Sequence, residues 1–340
     1  MTTDGTGHLT VVRAGPALSL QDLGRPGHIA QGLSVGGAAD RLALIEAAAL
    51  LGLKSVAPAL EMAGMGGAFT VSIPVRVALT GAQMRADIDG DAVVWNAVHV
   101  LRPGQTLTLG SVVGGTYGYL TCAGGIAAPR WLDSVSAHLA AGIGARLQSG
   151  ARLAIGVDNS LETSAMHLPS DTRFAGGMVR LMPGPQTGLF TEPERRRFAE
   201  TVFQKGAQAN RQGVKLAHSG APFKSDAAAG LASDFIMPGD VQMAGDGVPF
   251  VLLSECQTIG GYPRIGTVIE PDLPRVAQAP TGAELRFSFL SVDQADALYR
   301  GEAAQLAAMK KRASPLVRDP RRPGALFGVQ LISGAVRGDE

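Results

Sequence analysis

The sequence predicts a mainly β protein of two lobes with a few short helices, and three observations carry that expectation. Glycine is abundant at 45 of 340 residues, beside 20 prolines and only 5% aromatics. Average usage is roughly 7% glycine, so turns that need φ > 0 are numerous. Short apolar or alternating runs recur at spacings of roughly 10 residues with turn signals between them, which favours barrels or sandwiches over βαβ units. A polar, turn-rich stretch at Val157–Gly177 separates two apolar halves.

Taken in order, Phe69–Ile73 alternates and Arg76–Leu79 is continuously apolar, so both read as strands. Gly104–Gly110, Gly150–Gly156 and Gly282–Phe287 each place a glycine turn before an alternating strand. Met178–Met182 and Val248–Leu253 are strands of the second half. Asp40–Leu53 reads as a helix, with Asp40 at its capping end and Gly52 near its stop. Pro129–Ala140 is a candidate second helix. Ser291-Val292-Asp293-Gln294 is a capping-box pattern opening a helix through about Lys311. Packing of that helix on its own barrel is preferred over a partner-binding role. Arg318–Pro323 is basic and proline-rich, and Gly324–Glu340 pairs as a last strand or trails off. The division expected is 1–160, 178–300 and 301–340.

Composition excludes several classes. With 46% hydrophobic and 17% charged residues the chain buries a sizeable core and is not disordered. Thirty Lys+Arg against 29 Asp+Glu leave no basic field for nucleic acid or an anionic membrane. No apolar run approaches the ~20 residues of a membrane span. The start shows no export signal and two cysteines make no disulfide scaffold, so a cytoplasmic protein is expected. Gly32-Leu33-Ser34-Val35-Gly36 matches a nucleophile elbow but follows no α/β-hydrolase strand. No phosphate loop, dinucleotide fingerprint or histidine metal spacing is present. Cys122 and Cys256 read as small buried hydrophobes.

Two segments resist a bland reading. Gln21-Asp22-Leu23-Gly24-Arg25-Pro26-Gly27-His28 and Gly36–Arg41 gather polar groups among glycines before a helix N-terminus, an anion seat to which Arg25 adds a forked donor. The bland alternative is that Asp22 and Arg25 pair to pin a turn, with Asp40 as a cap. The second is Leu253–Gly266, where a strand empties into Gln257-Thr258-Ile259-Gly260-Gly261-Tyr262 and exposes amide, hydroxyl, phenol and bare backbone together.

Together these segments resemble the allophanate hydrolase subunit 2-like, or biotin-dependent carboxyltransferase, family. Val12–Pro16, Gln21–Gly27, Gly37–Asp40, Ala59–Glu61, Leu79–Ala82, Ala123–Ile126, Pro183–Gln186, Gln257–Arg264 and Pro271–Pro274 carry the resemblance, which runs from about Leu9 to Leu290. It implies two cyclophilin-like β-barrel lobes with a cleft between them, where Gln21–Gly27 and Asp40 face Gln257–Tyr262. By the same resemblance Asp22, Arg25, Glu61, Gln257 and Tyr262 are catalytic candidates. Gln21, Gly24, Asp40, Arg211, Thr258, Gly260, Gly261 and Asp272 are substrate-binding candidates, and no metal is implied. The activity implied is that of the C component of an ATP-dependent 5-oxoprolinase, opening 5-oxoproline to glutamate beside A-type and B-type subunits. In that picture Arg25 seats a carboxylate or phosphate, Gln257, Thr258 and Tyr262 orient the ring amide, and Asp22 or Glu61 accepts a proton. The alternatives are a carboxyltransferase using carboxybiotin from a separate carrier with urea or another amide as acceptor, and a non-catalytic, KipA-like regulator that binds a partner.

The chain also departs from the family pattern. Ala209-Asn210-Arg211-Gln212-Gly213 replaces Ser-Asp-Arg-Met-Gly, removing an acidic residue. Glu255-Cys256-Gln257-Thr258 replaces Asp-Arg-Gln-Thr, removing a basic one. Asp133–His138 differs from Gly-Ser-Arg-Ser-Thr-Tyr. Such changes reset the charge and pKa landscape of a site.

Overall fold

The computed structural model describes residues 7–226 and 231–316; the tail segments Arg318–Pro323 and Gly324–Glu340 lie outside them. Among the described residues the first lobe is built from two seven-stranded sheets. In one, Gly7–Arg13 lies between Arg152–Ile155 and Ala68–Val71. In the other, the central strands Val75–Gly81 and Tyr117–Cys122 are buried along their whole lengths. Their continuous apolar character follows from cover on both sides: the partner sheet on one, a helix on the other. Leu9, Val11, Phe69 and Leu107 of the first sheet meet Leu60, Val77, Leu79 and Leu120 of the second in one core.

The second lobe is a closed seven-stranded barrel, in the order Gly177–Met182, Arg264–Val268, Asp240–Met243, Pro249–Leu252, Gly213–Ala217, Phe203–Ala209, Glu284–Phe289. Closure comes from a parallel pairing of Gly177–Leu181 with Leu285–Phe289. Full closure thus belongs to the second lobe, while the first lobe's sheets end in short edges such as Asp91–Ala92 and Ser314–Pro315. Short edges carrying an acid or a proline resist further strand addition.

Five α-helices occur among the described residues. Helix α1 (Arg41–Leu50) begins where expected, its first turn capped by the Asp40 carboxylate accepting from Ala43 N–H at 3.2 Å. Its alanines permit close approach, and Ala43 through Leu50 are all buried. Helix α2 (Glu192–Glu200) sends Phe198 into an aromatic group with Phe203, Phe223 and Phe287 inside the barrel. Helix α3 (Leu273–Gln278) begins within the Pro271–Pro274 segment, with Pro274 in its first turn.

Three expectations are corrected here. Pro129–Ala140 is no α-helix: it is a tight Trp131–Ser134 bridge followed by a single 3-10 turn at Leu139–Ala141. Leu132 and Asp133 adopt positive φ there, which breaks any helical run. The helix expected over Ser291–Lys311 is two helices, α4 (Val292–Leu298) and α5 (Glu302–Arg312), with Gly301 at the second N-terminus. Both capping-box hydrogen bonds of Ser291 and Gln294 form. Helix α5 does not pack on its own barrel. Leu306 and Met309 lie on Ile45, Ala48 and Ala49 of α1, and Ser314–Pro315 then pairs with Met166–His167 in the first lobe. The chain therefore returns to its first half after completing its second.

The lobes share a core. Ala43, Leu44, Ala59, Tyr117 and Tyr119 of the first lobe pack with Val179, Leu216, Val251 and Ile265 of the barrel. No helix among the described residues is long and apolar enough to cross a membrane.

Candidate functional site

Two loops create the site. Residues 210–212 form the turn between the strands Phe203–Ala209 and Gly213–Ala217, and residues 255–257 belong to the turn and loop after Pro249–Leu252. Each loop sends side chains both to the first lobe and to the barrel's outer face. Arg211 and Glu255 turn toward the first lobe, while Asn210, Gln212, Cys256 and Gln257 line a cavity of about 240 Å³ on the barrel's outer face. Two neighbouring environments result, one charged and one neutral.

In the charged seam, the Arg211 guanidinium donates to Glu255 Oε1 at 2.6 Å and also to Glu61 Oε1, the Gly37 carbonyl and, at 3.4 Å, Gln21 Oε1. Burial opposes its charge, but the two carboxylates hold its pKa above the ordinary arginine value. Glu61 Oε2 accepts from Tyr119 O–H at 2.7 Å and Ala39 N–H at 2.8 Å. Burial first, and then Glu61, push the Tyr119 phenol well above its usual range, so it stays a donor. Glu255 Oε2 takes Ala140 N–H at 3.3 Å, and Gly36 N–H donates to the Ser254 carbonyl at 2.9 Å.

The first-lobe candidates hold this seam in place. Asp22 accepts from Gly24 N–H, Ser134 O–H, Val135 N–H and Ser136 O–H, at 2.5–2.9 Å. Arg25, 1% exposed, donates to the Trp131 and Ser136 carbonyls. Asp22 and Arg25 do not pair directly; both grip the 131–136 segment, the stretch that departs from the family pattern. Arg25 thus gives Nε and one terminal nitrogen to carbonyls, while its other terminal nitrogen has no hydrogen-bond partner among the described residues. Burial lowers its pKa against the pull of Asp22 and Glu255. Gly24 and Gly37 press together at positive φ, where a Cβ on Gly37 would stand 2.7 Å from Gly24 N. Gln21, fully buried, donates to Ser19 and the Ala137 carbonyl.

Asp40 lies in a second buried network rather than facing Gln257. Its carboxylate accepts from Arg173 Nε and Gln278 Nε2, both at 2.8 Å, as well as capping α1. Arg173 also grips Glu46 with both terminal nitrogens and Asp171 with one. Sequence reading missed Arg173 because a lone arginine in a turn-rich stretch carries no spacing signal. Asp272 is also remote from the cavity lining: it is taken up by Arg180 through three hydrogen bonds of 2.5–2.9 Å.

Ser34 of the dismissed nucleophile elbow meets His138 Nε2 at 2.8 Å. His138 Nδ1 accepts Ala141 N–H at 3.2 Å, so Nε2 bears the proton and donates to the serine. Burial lowers this imidazole's pKa. The serine thus has no base to activate it.

The neutral cavity has polar walls of Asn210, Gln212, Gln242, Gln257 and Tyr262, and an apolar floor of Ile236, Ala244, Phe250, Leu252 and Cys256. No carboxylate, ammonium or guanidinium is among them; burial, with Asp240 nearby, pushes the Cys256 thiol up to about 12. Asn210 and Cys256 are the positions at which the sequence loses an acidic and a basic residue, and both lie in this one cavity. A two-stranded ribbon, Asp234–Phe235 with Ile259–Gly260, borders it, and Thr258 secures the ribbon by accepting Ile236 N–H at 3.0 Å. Gln257 and Tyr262 sit exposed at the rim. A Cβ on Gly260 would stand 2.7 Å from Gln242 Nε2 and displace that amide, whereas a Cβ on Gly261 would meet only ordinary contacts. Of the candidates, then, Gln257, Thr258, Gly260 and Tyr262 belong to the cavity and its border. Gln21, Asp22, Gly24, Arg25, Glu61 and Arg211 belong to the seam. No cluster of metal-ligating side chains occurs among the described residues.

Comparison with known proteins agrees with this architecture. The family described as carboxyltransferase domain, subdomain A and B, matches residues 31–289. The C-type subunit of 5-oxoprolinase from Escherichia coli (strain K12) is 36% identical over 294 residues, 84% of this chain and 93% of that protein. Its namesake from Haemophilus influenzae is 30% identical over 286 residues, 83% and 91% of the two chains. The Kluyveromyces lactis urea carboxylase structure superposes with a TM-score of 0.78 at 22% identity over 92% of this chain, which spans 31% of that protein. That last likeness is one of fold. The chain belongs to the carboxyltransferase domain family, subdomains A and B.

Proposed function

We propose that this chain is the C-type component of an ATP-dependent 5-oxoprolinase, acting with A-type and B-type partners to hydrolyse 5-oxoproline to glutamate. The observation that carries the reading is agreement over 84% and 83% of the chain with two relatives of that name. The neutral cavity supports it. A lactam is an uncharged planar amide, and carboxamides with a phenol supply its donors and acceptors without the desolvation cost of an ion. Gln257 and Tyr262 at the rim orient the ring, and preorganised donors there stabilise charge that develops on the amide oxygen as water adds to the carbonyl carbon and the C–N bond breaks. The cavity has no cationic lining to hold a triphosphate, so the reading assigns ATP binding to a partner protein.

The test is ATP-dependent glutamate release from 5-oxoproline by this chain with its A-type and B-type partners, each omitted in turn. Activity that requires this chain supports the reading. A well-assembled complex that is silent on 5-oxoproline but carboxylates urea or another amide from carboxybiotin favours the family's carboxyl-transfer chemistry instead. Binding to a partner without any turnover favours a regulator.

A further inference from the structure

We propose that Gln242 is the specificity-determining residue of the cavity, reading a ring amide, locked cis, through paired hydrogen bonds to its carboxamide. The inference rests on the reading above and names the ligand class of the same site. Gln242 lies in the barrel strand Asp240–Met243, whose Val241 and Met243 point into the core. Alternation sends Gln242 the other way, into the cavity. It is only 8% exposed, and its Nε2 is shielded from solvent with no hydrogen-bond partner among the described residues.

An unpaired buried N–H is destabilising, and a bound acceptor repays that cost. The neighbouring backbone is shaped around this amide: a Cβ at Gly260 would stand 2.7 Å from Nε2 and 3.0 Å from Ile236. Gly260 is not at positive φ, so what it supplies is space rather than a left-handed turn.

The chemistry of the group selects its ligand. A primary carboxamide presents N–H and C=O along one edge. A five-membered lactam, held cis by its ring, presents C=O and N–H along one edge too, and the two edges match in antiparallel fashion. An open-chain secondary amide is overwhelmingly trans, puts its donor and acceptor on opposite sides, and makes one of those bonds at a time. With no carboxylate or cation in the lining, the discrimination rests on this pairing, and charged substituents are left at the rim beside Gln257 and Tyr262.

The experiment titrates the full chain with 2-pyrrolidinone and, separately, with N-methylacetamide, following both by NMR, for the wild type, Gln242→Met and Gly260→Ala. The wild type is expected to bind the lactam about tenfold tighter than the trans amide, the difference one buried hydrogen bond makes. In Gln242→Met that ratio falls to near one while thermal stability holds or rises, because the orphan donor is gone. A purely structural role would instead lower stability and leave the ratio unchanged. Gly260→Ala, which pushes the amide aside, is expected to reduce the ratio as well. Equal affinities in the wild type, no binding of either compound, or a ratio preserved in Gln242→Met overturns the proposal. The assembled complex separates the two claims. Glutamate release with a KM for 5-oxoproline that Gln242→Met leaves unchanged removes this proposal alone. A Gln242-dependent lactam preference in a chain whose complex never opens 5-oxoproline removes the 5-oxoprolinase reading alone.

Discussion

The seam and the cavity are made by the same two short segments, yet they obey opposite rules. In the seam Arg211, Glu61, Glu255, Gln21 and Tyr119 satisfy one another, so that buried charge is matched by buried charge. In the cavity a few ångströms of backbone away, the polar groups are neutral and the buried Gln242 donor has no partner among the described residues. On the seam side one terminal nitrogen of Arg25 is likewise unpartnered, although that guanidinium is held by two carbonyls. The difference separates two uses of polarity. Saturated charges hold lobes in register, because removing either partner strands an ion in low dielectric. Unsaturated neutral groups wait for a ligand, because an amide left unpaired costs little enough to be tolerated and much enough to be repaid by binding.

The comparison breaks most visibly at Arg211. Replacing it with Met leaves Glu61 and Glu255 buried without their cation, and a loss of about 3–5 kcal/mol is expected in urea denaturation. The triple variant Arg211→Met, Glu61→Gln, Glu255→Gln should recover a good part of it. A single variant that costs under about 1 kcal/mol would show that the seam is not what joins the lobes.

Lys205 sharpens the contrast as a buried cation with no carboxylate. Its ammonium donates to the Val276 and Ala277 carbonyls at the end of α3, and burial lowers its pKa from 10.5 to about 8. Between those values the unfolded chain binds the extra proton, so this group's contribution to stability rises as pH increases from about 8 to 10.5. Below pH 8 its charging penalty, on the order of 3 kcal/mol, is present in full. The stability difference between wild type and Lys205→Met, measured by denaturation at pH 7, 9 and 10.5, should therefore shift in favour of the wild type as pH rises. A flat difference would show that the lysine is not buried in solution.

Asp22→Ala removes the acceptor of four hydrogen bonds and should cost about 1–3 kcal/mol. Hydrogen exchange of the Val135 amide, expected to quicken markedly, is the specific readout. The smallest effect on stability belongs to the cavity rim: Gln257→Ala is expected to change it by no more than about 0.5 kcal/mol, while raising the KM of the assembled complex for 5-oxoproline. A large loss of stability there would move Gln257 from the cavity's company to the seam's.

Much of this is legible in the sequence. The strands at Gly104–Gly110, Gly150–Gly156 and Gly282–Phe287, the Asp40 cap and the Ser291 capping box are local events, encoded by glycine turns, alternation and side-chain caps a few residues apart. The motif at Gln257–Tyr262 is visible because polar groups among glycines at a strand end have little structural reason to be there. Pro129–Ala140 misleads because apolar and polar residues at helical spacing conceal two positive-φ residues. Arg173 and Gln242 give no signal at all. Each is an isolated polar residue whose partners, or lack of them, come from other parts of the chain.

The sequence by itself determined a glycine-punctuated β protein of two lobes, the starts of α1 and α4, and the family to which its motifs belong. It could do so because turns, caps and alternation are settled by neighbours within a few residues. Only the tertiary structure decided that the second lobe closes while the first stays two sheets, that α5 returns to α1, and that Asn210 and Cys256 face one neutral cavity while Arg211 and Glu255 face one charged seam. Those outcomes depend on which distant residue sits opposite a polar group, and burial sets what it costs to leave that group unpaired.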